Sequence, residues 1–180
     1  LLTPGEMFGI SFAINALLAS LSLPVVYLIC SDLFDRKSGV LAVIIMLCSP
    51  VFFLLAGTYF PHTASGFFIL LLILSVVRIE KDMGWLYSFL SAISILFILL
   101  IRPTEGGVLF VALLLYMGYI IFKSDNRTEK ILRILPIFAG FGLGVIILLS
   151  VNFLQTGNAY EFAFIKYRSV EKWGFGNVRH

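Results

Sequence analysis

Long apolar segments alternate with short polar ones along the whole chain. Each apolar segment has close to the ~20 residues that a helix needs to cross a bilayer. A segment in lipid must satisfy its own backbone hydrogen bonds, and an open sheet cannot do so, which favours helices throughout. The pattern predicts an all-α, polytopic bundle of about six transmembrane helices, with spans near residues 8–30, 40–56, 60–77, 85–101, 106–122 and 131–151.

The composition agrees with a membrane protein and excludes an ordinary soluble domain. Hydrophobic residues make up 60% of the chain and charged residues 13%, whereas soluble domains carry about a quarter charged residues. The mean hydropathy is +1.03. We expect membrane lipid around the chain and no nucleic acid as a partner; the net charge of +3 means little until its placement along the chain is considered.

Lys and Arg residues concentrate in alternate loops. The loops rich in them are 31–39, 78–84 and 123–133. The loop at 57–63 has none, and the loop at 102–107 has only Arg102. The positive-inside rule therefore predicts that the three basic loops are cytoplasmic. We interpret their charged side chains as ordinary solvated residues. We expect an integral protein of the cytoplasmic (plasma) membrane whose active face is extracytoplasmic.

The segment after the last span mixes aromatic and charged side chains. Phe164 and Tyr167, for example, lie among acidic and basic residues. An amphipathic segment of this kind rests in the membrane interface, with its rings at the depth of the lipid headgroups. We therefore predict a transmembrane bundle over 1–151 and an aromatic, extracytoplasmic interfacial loop over 152–180.

The stretch LLIRPTEGG, residues 99–107, places a cation at the edge of a long apolar segment. In a purely structural role, Arg102 suits the negative end of one helix, and Pro103 ends that helix. Thr104 then caps the next helix, with Glu105 in its first turn. As a ligand contact, the guanidinium offers a planar fork of donors to a phosphate. The local residues favour both interpretations equally.

The other outward-facing segments hold further candidates. His62 is either a solvated interfacial residue or a donor to a phosphate or a sugar hydroxyl. Glu6, Tyr59 and Glu105 are candidates for facing the substrate, and Glu6, which lies beside TPG, is also explained as ordinary surface. Neither cysteine spacing nor a His/Asp/Glu cluster predicts a metal site.

Several short motifs occur in a familiar order. They are LTPG at 2–5, SPVFFLLAGTYFPH at 49–62, RPTEG at 102–106, NFLQTGNAYEF at 152–162 and WGFG at 173–176. This order resembles the GT-C superfamily of integral-membrane glycosyltransferases, near the protein O-mannosyltransferase and aminoarabinose transferase branch. The resemblance extends over essentially the whole chain.

The resemblance implies transfer of a sugar from a polyprenyl-phosphate carrier to a glycan, lipid or protein acceptor outside the cytoplasm, by inverting displacement. It implies that Arg102 and His62 bind the lipid phosphate, with no certain cofactor and with a divalent metal left open. In such enzymes the catalytic base is an Asp or Glu in the first large outer loop. We expect that loop upstream of Leu1, which leaves the catalytic residue unknown and makes the chain an N-terminally truncated fragment, inactive alone.

Two other classes of function fit a helical membrane protein. A transporter or lipid flippase would use Arg102 as a headgroup or substrate contact, but transport paths usually place ionisable groups deep within the spans. The spans of this chain carry almost none at their centres. A non-catalytic, lipid-binding membrane subunit is the third class.

Overall fold

The computed structural model describes residues 11–58, 61–123 and 126–161, with side chains from residue 13 onwards. Within these ranges the chain forms seven α-helices and no strand. The helices are α1 (Ser11–Leu33), α2 (Arg36–Leu47), α3 (Pro50–Ala56), α4 (His62–Glu80), α5 (Trp85–Ile101), α6 (Pro103–Lys123) and α7 (Arg127–Thr156). The predicted all-α bundle is confirmed.

Four of these helices, namely α1, α4, α6 and α7, are long and apolar enough to cross a membrane. The pair α2 and α3 passes the same test only when the two are taken together, and α5 is apolar but has 17 residues. The outer surface of the bundle is apolar, with Leu115 74% exposed and Phe122 79% exposed. Such side chains face hydrocarbon favourably, so the surface is that of an integral membrane protein.

The segment predicted as the second span, 40–56, does not form one continuous helix. It is broken between Leu47 and Pro50, and the two halves bend by 68°. Pro50 has no backbone N–H to continue the helix, and a residue before proline is driven out of helical geometry. Ser49 accordingly adopts an extended conformation with ψ of 115°.

The bent pair still crosses the bundle from one end to the other. At the start of α2, Gly39 lies so close to α1 that an added Cβ would be 2.8 Å from the carbonyl oxygen of Tyr27. Just beyond α3, the carbonyl of Thr58 accepts a 2.5 Å hydrogen bond from the side chain of Asn15, near the other end of α1. The two contacts are 12 residues apart on α1, or about 18 Å along its axis, so the two ends of the pair lie at different depths, as in a broken span.

Helix α5 lies at the centre of the bundle, in contact with α4, α6 and α7. Its closest partner is α7, where a Cβ on Gly140 would be 2.2 Å from the carbonyl oxygen of Ala92. One turn later, Gly144 faces Leu96 and Leu99. The two helices therefore run parallel at a backbone separation that only small residues permit.

This register carries α7 beyond the end of α5. Because the backbone of Ala92 faces Gly140 and that of Leu96 faces Gly144, the end of α5 is level with about residue 149 of α7, which continues to Thr156. At 1.5 Å per residue, the extra length is about 10 Å. The helix therefore extends beyond the predicted boundary at residue 151, and it ends where Gly157 takes a left-handed φ of 79°.

Two ends of the bundle follow from these directions. The start of α4, the junction of α5 with α6 and the end of α7 form what we call the Arg102 end. The end of α4, the start of α5 and the start of α7 form what we call the Lys130 end.

Candidate functional site

Arg102 is the single residue that joins α5 to α6. Its amide donates to the carbonyl of Ile98 at 2.7 Å, which closes the last turn of α5. Its own carbonyl accepts from the amide of Gly106 at 2.9 Å, which closes the first turn of α6. Pro103 can begin α6 because the first helical position needs no amide donor. The backbone of Arg102 is thus held by two helices at once, and its side chain starts from a fixed position.

This junction differs in detail from the predicted one. Thr104 was expected to cap the helix after the turn, but α6 already begins at Pro103 and Arg102 takes the capping position. The proline is compatible with an earlier start because its φ is fixed near the helical value. Glu105 lies in the first turn, as predicted.

The side chain of Arg102 lies between a carboxylate and an imidazole. Its Nη1 donates to Oε1 of Glu105, three residues on. Its Nη2 contacts the ring of His62, with Nε2 at 3.2 Å and Nδ1 closer. The structure therefore brings together three predicted site residues, one of them 40 positions away in sequence. We call Arg102, Glu105 and His62 the arginine triad.

The position of His62 is set by the turn before α4. The hydroxyl of Thr63 donates to the carbonyl of Leu55 at 2.8 Å, which ties the start of α4 to the end of α3. The amide of Ser65 donates to the carbonyl of Pro61 at 3.0 Å and closes the first turn of α4. His62 is thereby presented at the helix start, where it is exposed.

The start of α6 depends on a glycine. A Cβ on Gly106 would lie 2.8 Å from Cα of Leu99 in α5. No such conflict exists at Gly107, where nothing described lies within 4 Å. The glycine lets α6 leave the junction close to α5, which keeps Glu105 within reach of Arg102.

The arginine triad lies at the surface of the described residues. The side chain of Arg102 is 26% exposed and that of Glu105 is 42% exposed. A guanidinium in this setting can exchange partners with a molecule from outside, and its planar fork matches the oxygens of a phosphate. The arrangement can bind an anion, but by itself it supplies no nucleophile.

The remaining predicted site residues, Glu6 and Tyr59, lie outside the described residues, as does the aromatic segment beyond residue 161. Within the described residues, no group of three or more His, Cys, Asp and Glu side chains is arranged to hold a metal ion.

Sequence reasoning missed the buried charges of the Lys130 end, which it interpreted as ordinary solvated residues. Nζ of Lys130 donates to the carbonyls of Ile79 and Glu80 at 3.1 and 2.7 Å and to the carboxylate of Asp82 at 2.7 Å. The side chain of Lys130 is only 7% exposed. The ammonium thus caps the end of α4 and fixes the turn that follows, in which Asp82 has a left-handed φ of 57°.

Arg133 follows Lys130 on the same face of α7. Its Nη2 donates to Glu129 at 2.6 Å, and its Nη1 lies 3.6 Å from Asp82. The signal in the sequence was the spacing: Lys130 and Arg133 are three residues apart at the start of an apolar helix, so both point to the same neighbour.

A separate ion pair at this end joins helices. Nε of Arg78 in α4 donates to Asp32 of α1 at 2.8 Å, and its guanidinium lies 4.9 Å from the ring centre of Tyr87 in α5. The Arg78 and Asp32 side chains are 13% and 21% exposed. These charges therefore hold helices together.

Asp35, between α1 and α2, is an exposed residue of this end. Its carboxylate accepts a 2.7 Å hydrogen bond from the amide of Ser38 and caps α2. Hydrogen bonds from Ser38 lower the pKa of Asp35 from its ordinary value, because they favour the charged form.

Comparison with known protein families gives one extended match. The family model described as dolichyl-phosphate-mannose-protein mannosyltransferase matches residues 4–154. The matched region includes all seven helices up to the last two residues of α7, and the whole arginine triad. No curated protein and no solved structure gives a significant match.

Proposed function

The chain belongs to the dolichyl-phosphate-mannose-protein mannosyltransferase family, and from this premise we propose that it takes part in moving a sugar from a polyprenyl-phosphate carrier to an extracytoplasmic acceptor. Glycosyl transfer in a membrane is the general activity of that family. The apolar helices agree with it, since they make the chain an integral membrane protein. The acceptor is a glycan, a lipid or a protein.

The observation that carries the proposal is the arginine triad. Arg102 lies at a helix junction at one end of the bundle, and its guanidinium is held at the surface by Glu105 and His62. A lipid carrier places its phosphate at the end of the membrane-spanning helices, where its tail can remain in hydrocarbon. We propose that Arg102 binds this phosphate, with His62 as a second contact.

The orientation is part of the same proposal. Basic residues concentrate at the Lys130 end of the described residues, in the loops before α2, after α4 and around the start of α7. The positive-inside rule assigns that end to the cytoplasm. The Arg102 end then faces the extracytoplasmic side of the plasma membrane.

The proposed reaction is a single inverting displacement. The acceptor oxygen forms a bond to the anomeric carbon, while the bond from that carbon to the phosphate oxygen breaks. The acceptor proton passes to a carboxylate base, to which we assign no residue. Negative charge builds up on the departing lipid phosphate, so a cation placed beside it stabilises the transition state. That is the role we propose for Arg102.

A transport function fits the structure less well. The buried charged residues Lys130 and Arg133 lie at one end of the bundle and are held by neighbouring helices. A path for ions or substrates usually has ionisable groups or broken helices near the middle of the membrane. The bent pair α2 and α3 is broken, but neither half has a charged side chain at the break.

The test is sugar transfer by the complete protein in membrane vesicles, with a radiolabelled polyprenyl-phosphate sugar as donor. We expect Arg102→Ala to lower transfer at least a hundredfold, because one removed transition-state contact costs ~3 kcal/mol. Arg36→Ala is the matched control, since Arg36 is an exposed cation at the other end. Transfer by Arg102→Ala at the wild-type rate would overturn the proposal. Inhibition by added phosphatidate, with no inhibition by polyprenyl phosphate, would instead indicate an ordinary phospholipid site.

A further inference from the structure

We propose that Glu105 competes with the phosphate for Arg102, so that binding of the lipid carrier exchanges one anion for another. This inference rests on the function proposed above. It assigns Glu105 a part in that site as a positioning residue, which acts through Arg102.

Both terminal nitrogens of the guanidinium are occupied in the structure. Nη1 donates to the carboxylate of Glu105, and Nη2 contacts the ring of His62. A phosphate is held most tightly when two parallel N–H groups of one arginine donate to two of its oxygens. A phosphate that uses the same N–H group of Nη1 must displace the Glu105 carboxylate, and one that uses other N–H groups shares the guanidinium with a second negative charge.

The exposure of the pair makes the exchange inexpensive. With side chains 26% and 42% exposed, this is the kind of surface ion pair that contributes at most about 1 kcal/mol. A buried pair such as that of Lys130, whose side chain is 7% exposed, could not be separated so easily. The carboxylate of Glu105 at the Arg102 end is thus displaceable, whereas the carboxylate of Asp82 at the other end is held by its buried partner Lys130.

The released carboxylate also keeps a favourable place. Glu105 is in the first turn of α6, at the positive end of that helix. Its neighbour Thr104 is exposed, so the Glu105 side chain can turn outward. However, it remains three residues from Arg102, where its charge repels the phosphate that replaced it. Glu105 therefore lowers the apparent affinity both by occupying the fork and by this repulsion.

The test measures binding of farnesyl phosphate, a short polyprenyl phosphate, to the complete protein in detergent micelles. We expect Glu105→Gln to bind about fivefold more tightly than the wild type, the factor that corresponds to a surface ion pair of about 1 kcal/mol. In an Arg102→Ala background, Glu105→Gln should change nothing, because the residue acts through Arg102.

Glu129→Gln is the matched control. Glu129 also pairs with an arginine of its own helix, four residues on, but at the other end of the bundle. We expect the affinity of this variant to equal that of the wild type. If the wild type binds through Arg102 and Glu105→Gln binds equally or more weakly, the exchange is overturned and the proposed function stands. If Arg102→Ala binds as well as the wild type, the proposed function itself fails.

Discussion

The two ends of the bundle use basic side chains in opposite ways. At the Lys130 end, the ammonium contacts two backbone carbonyls and a carboxylate from the end of another helix, and its side chain is 7% exposed. At the Arg102 end, the guanidinium contacts a carboxylate of its own junction and an exposed imidazole, and its side chain is 26% exposed. Charge alone therefore does not distinguish a structural contact from a binding site.

The difference lies in what would replace the partners. A buried ammonium that loses its partners stays without water, which costs several kcal/mol. A partly exposed guanidinium that loses a carboxylate can take up water or another anion at little cost. The comparison predicts that stability depends on the Lys130 end, whereas ligand binding depends on the Arg102 end.

The largest effect on stability should follow from Lys130→Met. The substitution leaves the carbonyls of Ile79 and Glu80 without their donor and Asp82 without its closest cation. Because Asp82 is itself 56% exposed, we expect a loss of about 2–3 kcal/mol, at or just below the lower limit for a broken buried pair. Thermal unfolding in detergent, followed by tryptophan fluorescence, measures it.

The matched control is Lys37→Met, which removes an exposed lysine from the same end. Its unfolding temperature should equal that of the wild type. If Lys130→Met unfolds at the wild-type temperature as well, the distinction between the two ends is lost.

The next effect should appear at the Arg102 end with Gly106→Ala. The added Cβ would lie 2.8 Å from Cα of Leu99, a separation that real Cβ atoms essentially never show. The start of α6 must therefore move away from α5, and Glu105 moves with it. We expect sugar transfer to fall about tenfold, as is typical for a small misplacement of binding groups.

Gly107→Ala provides the neighbouring control, because a Cβ there meets nothing described within 4 Å. We expect full activity from this variant. Equal losses from the two alanine variants would show that helix propensity, not the contact with Leu99, determines the result.

A smaller effect is expected from His62→Ala. The imidazole contacts only one nitrogen of Arg102 and lies at an exposed helix start. Its removal leaves Glu105 and the backbone of the junction in place, so we expect a loss of transfer of about threefold to tenfold, less than for Arg102→Ala. A loss equal to that of Arg102→Ala would make His62 the principal contact of the site.

The sequence predicted the helices because the thickness of a bilayer constrains each segment locally. It also placed Glu105 in the first helical turn after Arg102, where residues three positions apart are neighbours on a helix. Hydropathy did not place His62 beside Arg102, which only the family resemblance assigned to one phosphate, or Arg78 beside Asp32, because these pairs are separated by 40 and 46 positions. Such contacts depend on how helices pack, and hydropathy does not encode that packing.

The break at Ser49–Pro50 shows a different kind of failure. The proline that causes it is visible in the sequence, but continuous apolar residues on both sides favoured one span. Hydropathy reports whether a segment is buried in lipid, whereas proline reports where its hydrogen bonds fail. Given the same weight as hydropathy, Pro50 predicts the bend.

The smallest predicted effect tests whether an exposed charged residue at the Lys130 end can be removed without destabilising the rest of that end. Asp35 caps α2 and has a lowered pKa because Ser38 donates to its charged form. A group with a lowered pKa in the folded state stabilises that state above its unfolded pKa, and this contribution is lost as the pH falls through the folded pKa. Since the ordinary value is 3.8, the cap should be intact at pH 6 and lost in strongly acidic solution.

Asp35→Ala should therefore speed amide hydrogen exchange in the first turn of α2 at pH 6 and leave the exchange of α7 unchanged. If exchange in α7 also rises, Asp35 supports the whole end, and exposure does not separate replaceable charges from structural ones.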